Sequence, residues 1–271
     1  MIVLEHLGVT PDGAGGWRVS APERLHGAYG GAFGGFLAAT TVAVAREVAP
    51  GRVPFALDCQ FIRGLRDDDA PVRADVVRAG RSMTAVSVTI SQGGDVATRA
   101  TVLLADPASL DDWNVADRGA APAGTAEAKP WRHPPDRRVG IIDTLAPRAN
   151  REPAGGIATT IRTPWPEPDC DASAEVACMA ADLATGPPVE ATFDGTWRPH
   201  PNPDLSLRFL PRPITADEVT GVGTLDGTVA GVAMMSLAVW AGGERLAVGI
   251  CTSLVSPPPK RDRAPSTGEG P

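Results

Sequence analysis

Phe33, Phe36, Leu37, Thr40, Val44 and Val48 recur at i, i+3, i+4, i+7, i+11 and i+15. This is one face of a 3.6-residue repeat and predicts a helix. The remaining positions are mostly Ala, Val and Thr, with charge only at Arg46 and Glu47, so the helix is expected to be buried on most sides. Pro50-Gly51 stops it, and a glycine-rich stretch, HGAYGGAFGG (26–35), leads into it. Residues 1–20 read as short strands around a turn at Pro11-Asp12-Gly13. After residue 52 the chain turns to strands, predicted at 53–62, 72–79, 81–91 and 96–105. The third alternates most clearly: Val86, Val88 and Ile90 interleave with Ala85, Ser87, Thr89 and Ser91. Asp67-Asp68-Asp69 and Gln92-Gly93-Gly94-Asp95 read as turns. One apolar helix followed by an antiparallel meander predicts a sheet curled around that helix.

Residues 106–153 show no period. They read as a partly packed linker, with Trp113 and Trp131 as anchors. The earlier pattern then returns. A strand is predicted at 156–163. Val176, Met179, Ala180 and Leu183 have helical spacing, with Asp171 as N-cap and Gly186-Pro187-Pro188 as the stop. Strands follow at 204–210, 218–224, 229–240 and 244–255, the last two joined at Ala241-Gly242-Gly243. The tail SPPPKRDRAPSTGEGP (256–271) is rich in Pro and poor in apolar residues, and is expected to be disordered.

The recurrence is an internal repeat. LDCQFIR (57–63) matches LSLRFLP (205–211), which places Phe61 and Phe209 148 positions apart. Gly93 and Gly242, in the two Gly-Gly turns, are 149 apart. Neither half alternates strand and helix as a parallel βαβ array would. The reading is α+β: one module at 1–107, a linker at 108–153, a second module at 154–255 and a tail at 256–271. Each curled sheet has exposed edges, and pairing the two edge to edge removes that liability.

Composition narrows the partners. At 271 residues, 43% hydrophobic and 21% charged, the chain suits two packed modules. A net charge of −7 argues against nucleic acid and anionic membrane surfaces. Arg63, Arg66, Arg73, Arg78 and Arg81 lie close in sequence; they read as a solvated surface for the most part, or as a local anion-binding cluster. Cys59, Cys170, Cys178 and Cys251 form no Cys-x-x-Cys pair, which fits buried thiols in a reducing compartment. There is no basic segment leading a long apolar run and no stretch of 18 uncharged apolar residues, so a cytoplasmic protein without a membrane span is expected. No metal-ligand set or cofactor motif emerges. The glycine stretch lacks the G-x-G-x-x-G spacing and no long apolar strand precedes it.

AFGG (32–35), QFIRG (60–64), RAGRSMTAVSVTISQGG (78–94), PDLSLRFLPRP (203–213) and WAGGERLAVG (240–249) resemble, in that order, the two halves of the acyl-CoA thioesterase II family and its actinobacterial relatives. The resemblance implies a double hotdog, in which two sheets, each wrapped around a central helix, join into one. It also implies an acyl-CoA substrate, hydrolysed to free acid and CoA. Such a fold already pairs its own halves, so either a monomer or a homo-oligomer is expected.

The resemblance further implies an Asp, a hydroxyl residue and a Gln in the second half that orient the attacking water. Asp204 matches the Asp. It heads an otherwise apolar strand, or else sits in the loop after Pro203. Within GTLDGTVAG the hydroxyl falls at Thr228, with Thr224 and Asp226 as alternatives. The Gln is absent: its place is held by Thr252, or by Cys251 if the register slips by one. Cys251 has no His nearby in sequence to activate it and reads as a buried strand thiol. Gly34 and Gly35, ahead of the first helix, either present N–H groups to a thioester oxygen or simply permit a tight loop. Asp58 stands near a family His position and is a second carboxylate for the cavity, or a strand residue facing solvent. His26 and His200 are general bases by residue type alone.

Three functions are thus in view. The first is acyl-CoA hydrolysis by an Asp-oriented water. The second is non-catalytic acyl or acyl-CoA binding, motivated by the missing Gln. The third is a hotdog hydratase, which needs a His paired with an Asp at the helix entry, near His26.

Overall fold

A computed structural model describes residues 2–66, 69–111, 115, 121–122, 128–131, 138–153, 155–163, 172–214 and 216–258. In chain order the elements are α1 (Ile2–His6), β1 (Val9–Pro11), β2 (Trp17–Val19), α2 (Gly34–Glu47), β3 (Val53–Phe61), β4 (Ala70–Ala79), β5 (Met83–Gln92) and β6 (Asp95–Ala105). Next come β7 (Lys129–Pro130), α3 (Gly140–Leu145), β8 (Arg148–Arg151), β9 (Ile157–Arg162), α4 (Ser173–Leu183) and α5 (Gly186–Glu190). The chain closes with β10 (Asp204–Phe209), β11 (Glu218–Val229), β12 (Val232–Ala241) and β13 (Glu244–Leu254).

The two long helices lie inside. Every residue of α2 from Gly35 to Ala45 is buried, and so is every residue of α4. Small side chains on all faces allow this, and the buried hydroxyls find partners within their own helix: Thr40 Oγ1 donates to the Phe36 carbonyl and Thr41 Oγ1 to that of Ala38. The helices run antiparallel. The start of α2 meets the end of α4 through Gly35 and Asp182, and the end of α2 meets the start of α4 through Arg46 and Glu175, at 3.3 Å.

Around them, among the described residues, runs one sheet of 13 strands, ordered β1-β2-β4-β5-β6-β3-β10-β13-β12-β11-β9-β8-β7. On β5 the predicted alternation holds, with Val86, Val88 and Ile90 fully buried against the helices. The modules join at the antiparallel β3–β10 seam, where Leu57 pairs with Leu207 and Cys59 with Leu205. The 148-position repeat maps each of these pairs onto the other. It maps the central pair, Asp58 with Ser206, onto itself, so a pseudo-twofold axis passes there. This is the double hotdog, α+β with one continuous sheet.

Several local expectations change. Residues 2–6 form a helix ahead of the two short strands, because Leu4 and Leu7, three apart, bury one face together. Gly186-Pro187-Pro188 opens α5 rather than only ending α4: prolines fit a first helical turn, whose N–H groups have no intrahelical acceptor. β11 continues to Val229, past its expected end at 224, and reverses at Ala230-Gly231, with φ of 50° and 82°. Two positive φ values make the primed turn that matches strand twist. The stretch read as linker adds β7 and β8 to the sheet's far edge and contributes α3. Asp67, Asp68, Trp113, Cys170, Asp171 and residues 259–271 lie outside the described residues. Among the described residues no helix is long and apolar enough to cross a membrane.

Candidate active site

A cavity of ≈ 410 Å³ opens where the start of α2 meets the end of α4. The glycine-rich loop, Phe33, Gly34 and Leu37 form one wall, and the end of β3 with residues 62–64 another. Asp182, Leu183, Thr185 and Gly186 form a third, residues 200–203 and Leu254 a fourth, and Trp131, Val139, Ile141 and Ile142 close the remaining side. Both modules and the segment between them therefore build it.

Asp182 is the buried acid of this cavity. It sits on the last turn of α4, 6% exposed, with Oδ2 accepting the Gly35 N–H at 2.7 Å and Oδ1 accepting from Asn202 Nδ2. Burial pushes its carboxyl up to about 6, against the opposing pull of those two hydrogen bonds. A carboxylate has about four lone-pair sites, so two remain for a water. Sequence reasoning missed this residue. Its signal was there: Glu175 and Asp182, seven apart, are acids on one face of an otherwise apolar helix.

At the start of α2, Phe33 is the N-cap and offers no side-chain cap. The N–H groups of Gly34, Gly35 and Phe36 lack intrahelical acceptors by position. Asp182 takes that of Gly35, so Gly35 is a binding partner of the acid rather than a free donor. Gly34 lines the cavity, in the positive field of the helix end. A Cβ there would stand 3.0 Å from Asp182 Oδ2 and 3.1 Å from the Phe61 ring, so glycine is what leaves the space open.

The other expected residues fall elsewhere. Asp204 and Thr252 are brought together: Asp204 accepts the Thr252 N–H at 2.6 Å and its hydroxyl at 3.2 Å. They adjoin the cavity through Pro203 and Leu254 but do not line it. Thr228 is exposed near the β11–β12 turn, paired with Ala233, two strands away from β13. Asp226 accepts from Ser236 on the same exposed hairpin. Asp58 stands at the seam on the face away from the helices, 3.1 Å from Arg208 and half exposed; strand alternation turns it outward while Leu57 and Cys59 point in. Cys251 points inward and is buried. Its thiol is pushed up by burial, then by the charges of Asp182 and Asp204, which suits no nucleophile. His26 Nε2 is 2.9 Å from the Ala21 carbonyl and lies off the cavity, whereas His200 lines it. Of the five clustered arginines only Arg63 lines the cavity, and its guanidinium pairs with the exposed Asp95 at 2.6 Å. Among the described residues no cluster of His, Cys, Asp and Glu forms a metal site.

Residues 22–105 match the family described as the acyl-CoA thioesterase N-terminal domain. No curated protein matches the chain. Among solved structures, the tesB protein of Mycobacterium avium subsp. paratuberculosis superposes with a TM-score of 0.72 at 17% identity, over 94% of this chain and 99% of that one. The acyl-CoA thioesterase II TesB2 of Mycobacterium marinum gives 0.72 at 19%, over 94% and 98%. A hotdog-fold protein of unknown function from Alicyclobacillus acidocaldarius gives 0.73 at 21%, over 95% and 99%. At these identities the superpositions speak for the fold along the whole length, and the matched segment speaks for the first module. Together they show a double-hotdog fold along the chain, with an acyl-CoA thioesterase N-terminal domain at residues 22–105.

Proposed function

We propose that the chain hydrolyses an acyl-CoA to free acid and CoA, with Asp182 as the base that orients and deprotonates the attacking water. The observation that carries this reading is the Asp182 carboxylate, buried in the cavity wall beside a glycine-headed helix start. Phe33, Leu37, Phe61 and Leu183 offer an apolar lining for an acyl chain. With the thioester carbonyl at Gly34, the free N–H of that residue and the positive helix end stabilise the developing oxyanion. Water adds to the carbonyl carbon and its proton passes to Asp182. The tetrahedral oxyanion then collapses, the C–S bond breaks, and the departing CoA thiolate takes the proton back from Asp182. A carboxyl raised to about 6 suits both halves of that exchange near neutral pH. Asn202 holds the acid in place through Oδ1.

The contact of Asp204 with Thr252 favours a second reading, in which that pair orients the water as the family resemblance implies. Neither of these residues lines the cavity, whereas Asp182 does, so Asp182 is the better base. A thiol-release assay over acyl-CoA esters of graded chain length tests the function, with Asp182→Asn as the variant. Turnover by the native chain and its loss in the variant, with acyl-CoA still bound, supports the proposal. Binding without turnover in the native chain overturns it and leaves an acyl-CoA binding protein.

A further inference from the structure

We propose that Trp131 is the end wall of the acyl pocket and sets the longest acyl group the site accepts. This deepens the thioesterase reading and rests on it. Trp131 comes from the segment between the modules, where no period was visible in the sequence.

Its backbone is fixed. Lys129 and Pro130 pair with β8, and the Trp131 N–H donates to the Pro147 carbonyl at 2.8 Å. Its indole is fixed too. Nε1 donates to Glu190 Oε2 at 3.1 Å, on α5 of the second module. The edge of the six-membered ring lies over Gly186: a Cβ on that glycine would stand 3.2 Å from Cζ2 and 3.3 Å from Cη2. Behind the indole, Glu190 also faces His200, with Oε1 3.6 Å from Nε2. Phe193 packs edge-on against the His200 ring, at 5.6 Å between centroids. The ring thus rests on a buttress rather than on solvent.

The position fits an end wall. Asp182 and Gly34 mark where the thioester carbonyl sits. Gly186 lies four residues further along the chain from Asp182, about one helical turn away. Trp131, Gly186 and His200 bound the same cavity there. The adjacent α3 is fastened to the first module, through the Ile141 N–H on the His26 carbonyl at 3.0 Å and Thr144 Oγ1 on that of Arg24 at 2.9 Å. Trp131 and α3 are thus tied to the second and first modules respectively, and both line the pocket.

The test is kcat/KM over straight-chain acyl-CoA esters from butanoyl to hexadecanoyl, with Trp131→Ala, Trp131→Phe and Gly186→Ala. Truncation to Ala is expected to move the optimum to longer chains. Two further buried methylenes raise kcat/KM on those esters by about tenfold. Phe shifts it less, and Gly186→Ala, which adds a methyl to the same end, moves the limit to shorter chains. An unchanged chain-length profile in active Trp131→Ala overturns the proposal. If that variant does not fold, Trp131→Phe and Gly186→Ala decide it by their opposite shifts, and matching or absent shifts overturn it. Displacement of a fluorescent fatty acid by the same esters reads the wall without chemistry. A shift there in a chain that hydrolyses nothing supports the wall and sinks hydrolysis; no shift sinks the wall.

Discussion

The Gly35 N–H donates to Asp182 Oδ2 at 2.7 Å, joining the first turn of one central helix to the last turn of the other. The bond does two things. It gives a buried carboxylate a donor, and it uses the unmatched N–H of one helix to hold the acid of the other. The burial that comes with this placement raises the acid's titration, although the bond itself pulls it down. We therefore expect kcat/KM for thioester hydrolysis to rise with pH through about 6 and then level, because burial raises the Asp182 carboxyl to about 6. Asp182→Asn should lower kcat by roughly 10²- to 10⁴-fold and remove the acidic limb from the residual rate. A limb that persists at the same pH in the variant would assign it to another group.

Gly34→Ala tests the space beside that acid. The added Cβ meets Asp182 Oδ2 at 3.0 Å and the Phe61 ring at 3.1 and 3.2 Å. Phe61 can give a few tenths of an ångström, but Asp182 is pinned by Gly35 and Asn202. Alanine is otherwise a better helix former than glycine, so the melting temperature should change little. Turnover should fall on the order of tenfold to a hundredfold, as for small misplacements of reacting groups. Steady-state kinetics beside a thermal melt separates the two effects. Unchanged kinetics would remove Gly34 from the site.

The architecture was legible because it rests on pattern. Phe61 and Phe209, 148 positions apart, mark two copies of one strand, and those strands meet at the seam. The period of α2 was legible for the same reason. The site was less so. Asp182 matters through Gly35, 147 positions away, and no local period reports such a contact. Thr228 was one of three alternatives within GTLDGTVAG, a stretch that ends at the exposed tip of a long hairpin. Trp131 was visible as an anchor, but what it anchors depends on Gly186 and Glu190 in the other module. The turn at Ala230-Gly231 was missed because Ala seldom takes a positive φ and so did not signal one.

Asp204 and Thr252 give a discriminating pair. Asp204 accepts both the Thr252 N–H and its hydroxyl, which ties the start of β10 to the end of β13. With Asn at position 204, the amide oxygen still accepts the N–H, so the expected loss of stability is about 1 kcal/mol. Turnover is expected to stay within about tenfold of the native rate, far above that of Asp182→Asn. Parallel thiol-release assays on the two variants measure this directly. The reverse ranking would move the base to Asp204 and leave hydrolysis itself standing.

The raised carboxyl of Asp182 also has a consequence for stability, and its sign is definite. The acid titrates at about 6 in the folded chain against an ordinary value of 3.8. Between those values the folded state binds more protons than the unfolded one, so stability falls as pH rises through that window. The contribution is fully present below pH 3.8 and lost above about 6, a change on the order of 3 kcal/mol. Other carboxylates titrate in the same range, so the measurable quantity is a difference. Urea unfolding of the native chain and of Asp182→Asn, at several pH values from 4 to 7.5, isolates it. The variant's carboxamide does not titrate, so its own hydrogen bonds are the same at every pH. The native chain should therefore lose its advantage over the variant as pH rises from 4 to 7, and the slope of the difference should vanish above about 6. A difference that does not vary with pH would mean that Asp182 is not raised by burial, and the proton exchange assigned to it would lose its basis.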